Sequence, residues 1–239
     1  MASPVENRPR VAILEDYPVN RDRLSDLVRS SGYVPIPVSP KAPALIDFDA
    51  FLINESISMI LCDHRLYEKG DYANYTGAQA VAKCYQSGRG GVLVTGYEND
   101  DAELSIREYR RWIPSLIHGT ELDRKTLTSA LANADKEVRH NLIATQREPY
   151  RTVMTVTNLI QKGETTIVKV VMGQWDPNTE IGFPIHMLPS LMRPQAVPGN
   201  LLIAQVNLLA ERPEDLFFDN FQLPDPDVLQ KSQAFFNRS

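Results

Sequence analysis

Over the first ~140 residues, short apolar runs alternate with stretches of helical period. Residues 10–15, 57–62, 91–95 and 113–117 are runs of strand length. Between the first two, Leu24, Leu27 and Val28 recur at helical spacing; Asn20 suits the cap and Gly32 the stop. Leu45, Phe48, Phe51 and Leu52 mark a helix within 40–54, and Ala78, Val81, Ala82 and Tyr85 one over 77–86. Residues 99–101 can cap a helix through Trp112. Leu127, Ala130, Leu131, Ala134 and Val138 stripe a long helix over 123–145. This alternation predicts a parallel α/β unit. The remaining run, 33–38, carries Pro35 and Pro37, which lack ladder donors, so it belongs at a sheet edge. The five-stranded doubly wound order 2-1-3-4-5 places its second strand there, which predicts a flavodoxin-like sheet.

Past residue 146 the pattern changes. Residues 151–160, 165–173 and 201–208 are rich in β-branched and apolar side chains, and Lys162-Gly163-Glu164 predicts a hairpin turn. Residues 216–221 read as a further strand with Phe217 and Phe221 on one face. The proline-rich stretch 184–198 has room for one short helix over 188–192. The expected organisation is a tail (1–9), an α/β domain (10–146), a small all-β domain (147–223) and a loose tail (224–239).

Charge narrows the partners. With 239 residues, a net charge of −5 and a pI near 5.4, the chain is poorly suited to nucleic acid or anionic membranes. From Arg147 on, eight Lys/Arg oppose ten Asp/Glu, which disfavours DNA binding by the β domain. No apolar stretch approaches the ~20 residues of a membrane span, and the first residues lack a secretory core. Cys62 and Cys84 lie in apolar contexts, which predicts reduced, buried thiols. A cytoplasmic location is the expectation.

The chemistry sits where apolar runs end. Val11-Ala12-Ile13-Leu14 leads into Glu15-Asp16, the run 57–62 into Asp63, and Gly91-Val92-Leu93-Val94 into Thr95-Gly96. In an open parallel sheet these carboxyl ends line the ligand crevice. Carboxylates from two strands and a hydroxyl from a third suit a hard cation and a phosphoryl group.

Glu15-Asp16, Asp63-His64-Arg65-Leu66, Thr76-Gly77 and Thr95-Gly96, in this order, resemble the receiver domain of two-component response regulators. The resemblance covers a little over half the chain. It implies that Asp63 accepts phosphate from a histidine kinase or phosphotransfer protein. It further implies that Glu15 and Asp16, with Asp63, bind Mg²⁺, and that Thr95 senses the phosphoryl group. Such a chain is a signalling phosphoprotein rather than an enzyme. A carboxylate is already nucleophilic at neutral pH, and phosphoryl transfer then needs positioning and charge neutralisation.

One position departs from the family pattern. Receivers carry a lysine at the end of strand five, followed by proline; here His118 stands nearest that position and Gly119 follows. Two readings therefore stay open: a phosphorylated regulator whose β domain signals by protein–protein interaction, or through a receiver homodimer, and a pseudo-receiver adaptor that binds a kinase or effector without phosphorylation. A third is an enzyme whose chemistry lies in the β domain, although no Ser-His-Asp set or carboxylate pair is evident there.

Other signals have plainer readings. The four histidines, His64, His118, His140 and His186, show no metal-ligand spacing with the cysteines. Gly88-Arg89-Gly90-Gly91 precedes a strand, whereas a phosphate-binding loop precedes a helix, so a turn is expected. Arg107, Arg110 and Arg111 read as a solvated helix face, and Trp175-Asp176-Pro177 as a turn with a buried indole. Phe235-Phe236 could serve as a docking segment in a loose tail.

Overall fold

The computed structural model describes residues 8–66, 70–96 and 101–224. Two compact units account for the chain: Met1–Glu98 with Trp112–Ala144, and Asn99–Arg111 with Thr145–Ser239.

The first unit is a five-stranded parallel sheet of β1 (Arg10–Leu14), β2 (Val34–Pro37), β3 (Met59–Asp63), β4 (Gly90–Thr95) and β5 (Ser115–His118). Its order is β2-β1-β3-β4-β5, the doubly wound arrangement expected, with the proline-bearing strand at the edge. Helices α1 (Pro18–Ser30), α2 (Phe48–Asn54), α3 (Gly77–Gln86) and α4 (Arg124–His140) flank it. Val11, Ile13, Met59, Leu61, Val92 and Val94 meet Leu24 and Val28 of α1 and Leu127, Leu131 and Ala134 of α4 in one core. α3 covers β3 and β4.

Several local expectations change. The helix expected over 40–54 is a short 3-10 turn, Leu45–Asp47, running into α2, because Pro40 and Pro43 interrupt any earlier start. Asp123 caps α4 by accepting from the Thr126 N–H at 2.7 Å, and Asn141 ends it in the left-handed conformation. In that helix Glu137, not Val138, is buried. The turn expected over 88–91 is shorter: it lies at 87–88, and Gly90-Gly91 already belong to β4.

The second unit is an antiparallel sheet of β6 (Tyr150–Lys162), β7 (Thr165–Met172), β8 (Asp176–Pro184), β9 (Leu201–Val206) and β10 (Phe218–Gln222), ordered β10-β9-β6-β7-β8. The β6–β7 hairpin is as expected. Strand β8 was missed: Pro177 and Pro184 disguise it, and both are tolerated because β8 lies at the end of the sheet. The short helix expected over 188–192 is replaced by 3-10 turns at Ile185–Met187 and Arg193–Gln195. Phe217 and Phe221 do not share a face. The register shifts within β10 beside Asn220, whose φ is +50°, and Phe221 joins Phe218 on Phe183. Trp175 is half-buried in a turn, and its Nε1–H donates to the Ala210 carbonyl at 2.8 Å. Met154, Val156, Val168, Val170, Phe183, Leu202 and Phe218 form the core.

Residues 101–111 depart most from expectation. In place of a regular helix they form one π turn, Ala102–Ile106, and the chain then enters a 3-10 turn, Arg110–Trp112. The expected solvated arginine face is a buried one: Arg107 is 2 % exposed and Arg110 3 %. These guanidiniums bond to the second unit, so the segment adapts to that unit instead of completing its own helix. Residues 99 and 100 of the expected cap lie outside the described residues, as do Phe235 and Phe236.

Candidate functional site

Strand register assembles the site. Leu14 of β1 pairs with Cys62 of β3, so Glu15 and Asp63 leave adjacent strands side by side. Asp63 pairs with Val94, which puts Thr95 one step beyond, and Thr95 pairs with His118. All five residues singled out from the sequence, Glu15, Asp16, Asp63, Thr95 and His118, therefore gather at the carboxyl ends of β1, β3, β4 and β5. Glu15, Asp16 and Thr95 are buried, whereas Asp63 and His118 are half-buried.

Backbone donors hold the carboxylates. The Tyr17 N–H donates to Glu15 Oε1 at 3.0 Å, and the Arg65 N–H donates to Asp63 Oδ2 at 3.0 Å. Arg21 Nη1 donates to the Glu15 carbonyl at 2.9 Å. Thr76-Gly77 sets the end of β3 against α3. Thr76 accepts from the Gln79 N–H and its own N–H donates to Gln79 Oε1, a capping box. A Cβ on Gly77 would lie 2.0 Å from the Asp63 carbonyl oxygen, so only glycine fits there. His64 is buried and works through its backbone: its N–H donates to Val94 and its carbonyl accepts from the Gly77 N–H.

Sequence reasoning missed Tyr72. From what read only as a polar loop, its buried hydroxyl accepts the Glu15 N–H at 3.3 Å and donates to the Val38 carbonyl at 3.0 Å. It thereby ties the end of β1 to the segment that follows β2. The sole signal was an aromatic residue among polar ones.

The Glu15 carboxyl is raised from 4.5 to about 7, chiefly by burial, with Asp63 and Asp16 adding to the rise and the Tyr17 N–H opposing it. The buried Cys62 thiol is likewise held in its neutral form. Three all-oxygen acidic donors crowded at the carboxyl ends of β1 and β3 suit a hard divalent cation, which would relieve their repulsion. Among the described residues no group of three or more His, Cys, Asp or Glu side chains is already set to hold a metal ion. Mg²⁺ asks less than that, because it keeps several waters and is bound through one or two carboxylates. His118 Nδ1 lies 2.7 Å from Thr120 Oγ1, a contact that orients the ring.

Fold and site together define a doubly wound α/β unit with a cluster of carboxylates at its strand ends, followed in sequence by a β unit. No protein-family model matches the chain, and no curated protein matches it. Among solved structures it is similar to a response regulator receiver domain protein from Clostridium thermocellum, at 12 % identity over 56 % of this chain and 99 % of that one, with a TM-score of 0.43. It is also similar to a sensor protein from Polaromonas sp. JS666, at 15 % identity over 55 % of this chain and 98 % of that one, TM-score 0.43. A signal receiver domain of an HD domain-containing protein from Pseudomonas fluorescens Pf-5 gives 15 % identity over 56 % and 99 %, TM-score 0.43. Among the described residues no helix is long and apolar enough to cross a membrane.

Proposed function

We propose that the first unit is a receiver that takes a phosphoryl group on Asp63, making the chain a two-component response regulator. The observation that carries this reading is the register that gathers Glu15, Asp16, Asp63, Thr95 and His118 at neighbouring strand ends. An Asp63 carboxylate oxygen attacks phosphorus of a phosphohistidine on a kinase or phosphotransfer protein. The P–N bond breaks, an acyl phosphate forms, and the departing imidazole nitrogen keeps the electron pair and takes a proton from solvent. Mg²⁺, held by Glu15, Asp16 and Asp63, would supply neutralising charge for the phosphoryl oxygens. Thr95 offers its hydroxyl to the new acceptor oxygens, and His118, opposite it, stands where a lysine would. Output runs through the β unit to a protein partner, or through a homodimer. The chain acts as a cytoplasmic signalling protein, with neither catalysis nor nucleic-acid binding of its own.

A second reading, a phosphorylation-independent adaptor, is favoured by two observations. His118 replaces the fixed cation, and among the described residues no metal-ready cluster exists. Acetyl-phosphate labelling with Mg²⁺, read by intact mass on wild type and Asp63→Asn, separates the two. A phosphate-sized gain lost in Asp63→Asn establishes the acceptor. No gain, together with no Mg²⁺ binding, leaves the adaptor.

A further inference from the structure

Strand β6 outruns its neighbour on one side. It spans Tyr150–Lys162, whereas β9 pairs with it only from Tyr150 to Thr155. Val156 adds one further contact: its N–H donates to the Asn200 carbonyl, and its carbonyl accepts from the Gly199 N–H. Gly199, at φ +88°, then carries the chain away in a turn closed by the Asn200 N–H on the Val197 carbonyl. Along residues 158–162, β6 therefore has β7 on one side and, among the described residues, no strand on the other. The hairpin sets which main-chain groups face that open side. Gly163, at φ +58°, takes the first central place of a two-residue turn, so Lys162 and Thr165 form a hydrogen-bonded pair. Bonded and non-bonded pairs alternate, so Ile160–Ile167 and Asn158–Lys169 are bonded as well, and the main chain of Leu159 and Gln161 points outward. The Leu159 N–H agrees, since it donates to the Asn158 side chain at 2.8 Å.

An unpaired strand edge is a template for another strand, and proteins blunt such edges. Both outer edges of this sheet are blunted: β8 carries Pro177 and Pro184, and β10 shifts register beside Asn220. The open half of β6 has no proline, and it presents Leu159, 36 % exposed, beside half-buried Ile160. This stretch is also self-complementary. Antiparallel pairing of two copies about Ile160 sets Leu159 of each against Gln161 of the other, so their outward N–H and C=O groups meet. Ile160 then meets its own counterpart, an apolar cross-strand pair. Lys162 falls opposite Asn158, so no like charges face each other, and Lys162 already has Glu103 at 3.5 Å. We propose that residues 158–162 of β6 form an edge-to-edge interface with a second copy of this chain, joining the two antiparallel sheets. Such two-fold pairing uses up the edge, so assembly closes at a dimer. The bulge between Val156 and Asn158 keeps the ladder short, which makes the dimer weak and concentration-dependent. The interface stands apart from the phosphoacceptor reading, because every group in it lies in the second unit.

Cross-linking and sedimentation of the full chain test the interface. In Ile160→Cys the thiols of two copies would stand opposite each other in a non-hydrogen-bonded pair, with Cα atoms about 4.5 Å apart, within disulfide reach. Leu159→Cys is the control, because its counterpart would stand two residues further along the ladder. Cys62 and Cys84 are buried, so the introduced thiol reports alone. Under mild oxidation, Ile160→Cys should give linked dimer on a non-reducing gel at least about tenfold faster than Leu159→Cys. Sedimentation from about 1 µM to about 1 mM should show the wild type passing from monomer to dimer. Gln161→Pro removes an outward donor and leaves the pairing with β7, so it should raise the midpoint by about tenfold or more. Far-UV circular dichroism checks that this variant keeps its sheet; if it does not, the cysteine pair decides. Equal linking rates for the two cysteine variants, a wild type that stays monomeric, or a folded Gln161→Pro chain that associates as the wild type does would each overturn the interface.

Discussion

The carboxylate of Glu103 occupies the space that a side chain on Gly182 would need. A Cβ there would stand 2.8 Å from Glu103 Cδ and 2.9 Å from both carboxylate oxygens. Glutamate is flexible, but this one is pinned by Lys169 at 2.5 Å and Lys162 at 3.5 Å, so it cannot step aside without losing both. Gly182→Ala should therefore destabilise the second unit by roughly 1–3 kcal/mol, the usual range for overpacking. In a Glu103→Ala background the same change should cost much less. Trp175 lies in this unit and Trp112 in the other. Denaturation of Trp112→Phe, followed by Trp175 fluorescence, measures the double-mutant cycle, and additive costs would sink the account.

Much of the first unit was legible in the sequence, and the reason lies in its periodicity. Buried parallel strands read as apolar runs, and Pro35 and Pro37 could sit only at an edge. The placement of the candidate site residues followed, because Glu15, Asp63 and Thr95 each end such a run. What failed shares one cause. The pattern at Arg107, Arg110 and Arg111 is that of a polar helix face, and local sequence carries no sign that main-chain carbonyls from residues 182, 213 and 216 will meet it. Strand β8 was lost because Pro177 and Pro184 read as breakers unless the strand is known to be at an edge. Tyr72 acts through a hydroxyl that bonds residues 57 and 34 positions away, a distance no window spans.

Gly77→Ala should be severe. The added methyl would meet the Asp63 carbonyl oxygen at 2.0 Å and its carbonyl carbon at 2.8 Å, and these are backbone atoms of a central strand. Either α3 shifts outward or β3 bends, and both disturb the strand end that presents Asp63. A loss of more than ~3 kcal/mol is expected, the level reached by serious core disruption. Urea unfolding of Trp175→Phe, followed by Trp112, measures it, and a loss below ~1 kcal/mol would contradict the close approach.

Stability should fall as pH rises through the range set by Glu15. Its carboxyl is raised from 4.5 to about 7, chiefly by burial. Between those values the folded chain keeps a proton that the unfolded chain releases, so unfolding is favoured as pH climbs and levels off above 7. The effect is on the order of 2–3 kcal/mol. Mg²⁺ should restore part of the loss at pH 8 and little at pH 5, because at the lower pH it competes with the proton. Melting curves of wild type and Glu15→Gln across this range check both points. A slope that survives in Glu15→Gln would assign it to another group.

Tyr72→Phe removes one hydroxyl and nothing else. The Glu15 N–H and the Val38 carbonyl each lose a partner in a buried place. A cost of about 1–3 kcal/mol is expected, together with faster exchange of the Glu15 amide. Tyr75→Phe is the matched control, since that hydroxyl donates to the Pro43 carbonyl at 2.8 Å. It should lose comparable stability and leave the Glu15 amide alone. Equal exchange at Glu15 in both variants would remove Tyr72 from its positioning role.

His118 faces Thr95 across the β4–β5 ladder, so a side chain there is aimed from the same level of the sheet as the hydroxyl expected to meet the phosphoryl group. Lysine at this position brings a full ammonium charge and a longer reach to the transferred oxygens, whose charge is what phosphoryl transfer must neutralise. His118→Lys should therefore raise the rate of acetyl-phosphate labelling at Asp63 by about tenfold, equivalent to ~1.4 kcal/mol of transition-state stabilisation. His118→Ala should lower it or leave it near the wild-type rate. The lysine variant must melt at a temperature close to wild type for the comparison to hold, which His118's half-exposed place allows. If a folded His118→Lys variant labels no faster, position 118 does not face the transferred group, and the neutralising charge must come from the carboxylate-bound cation alone.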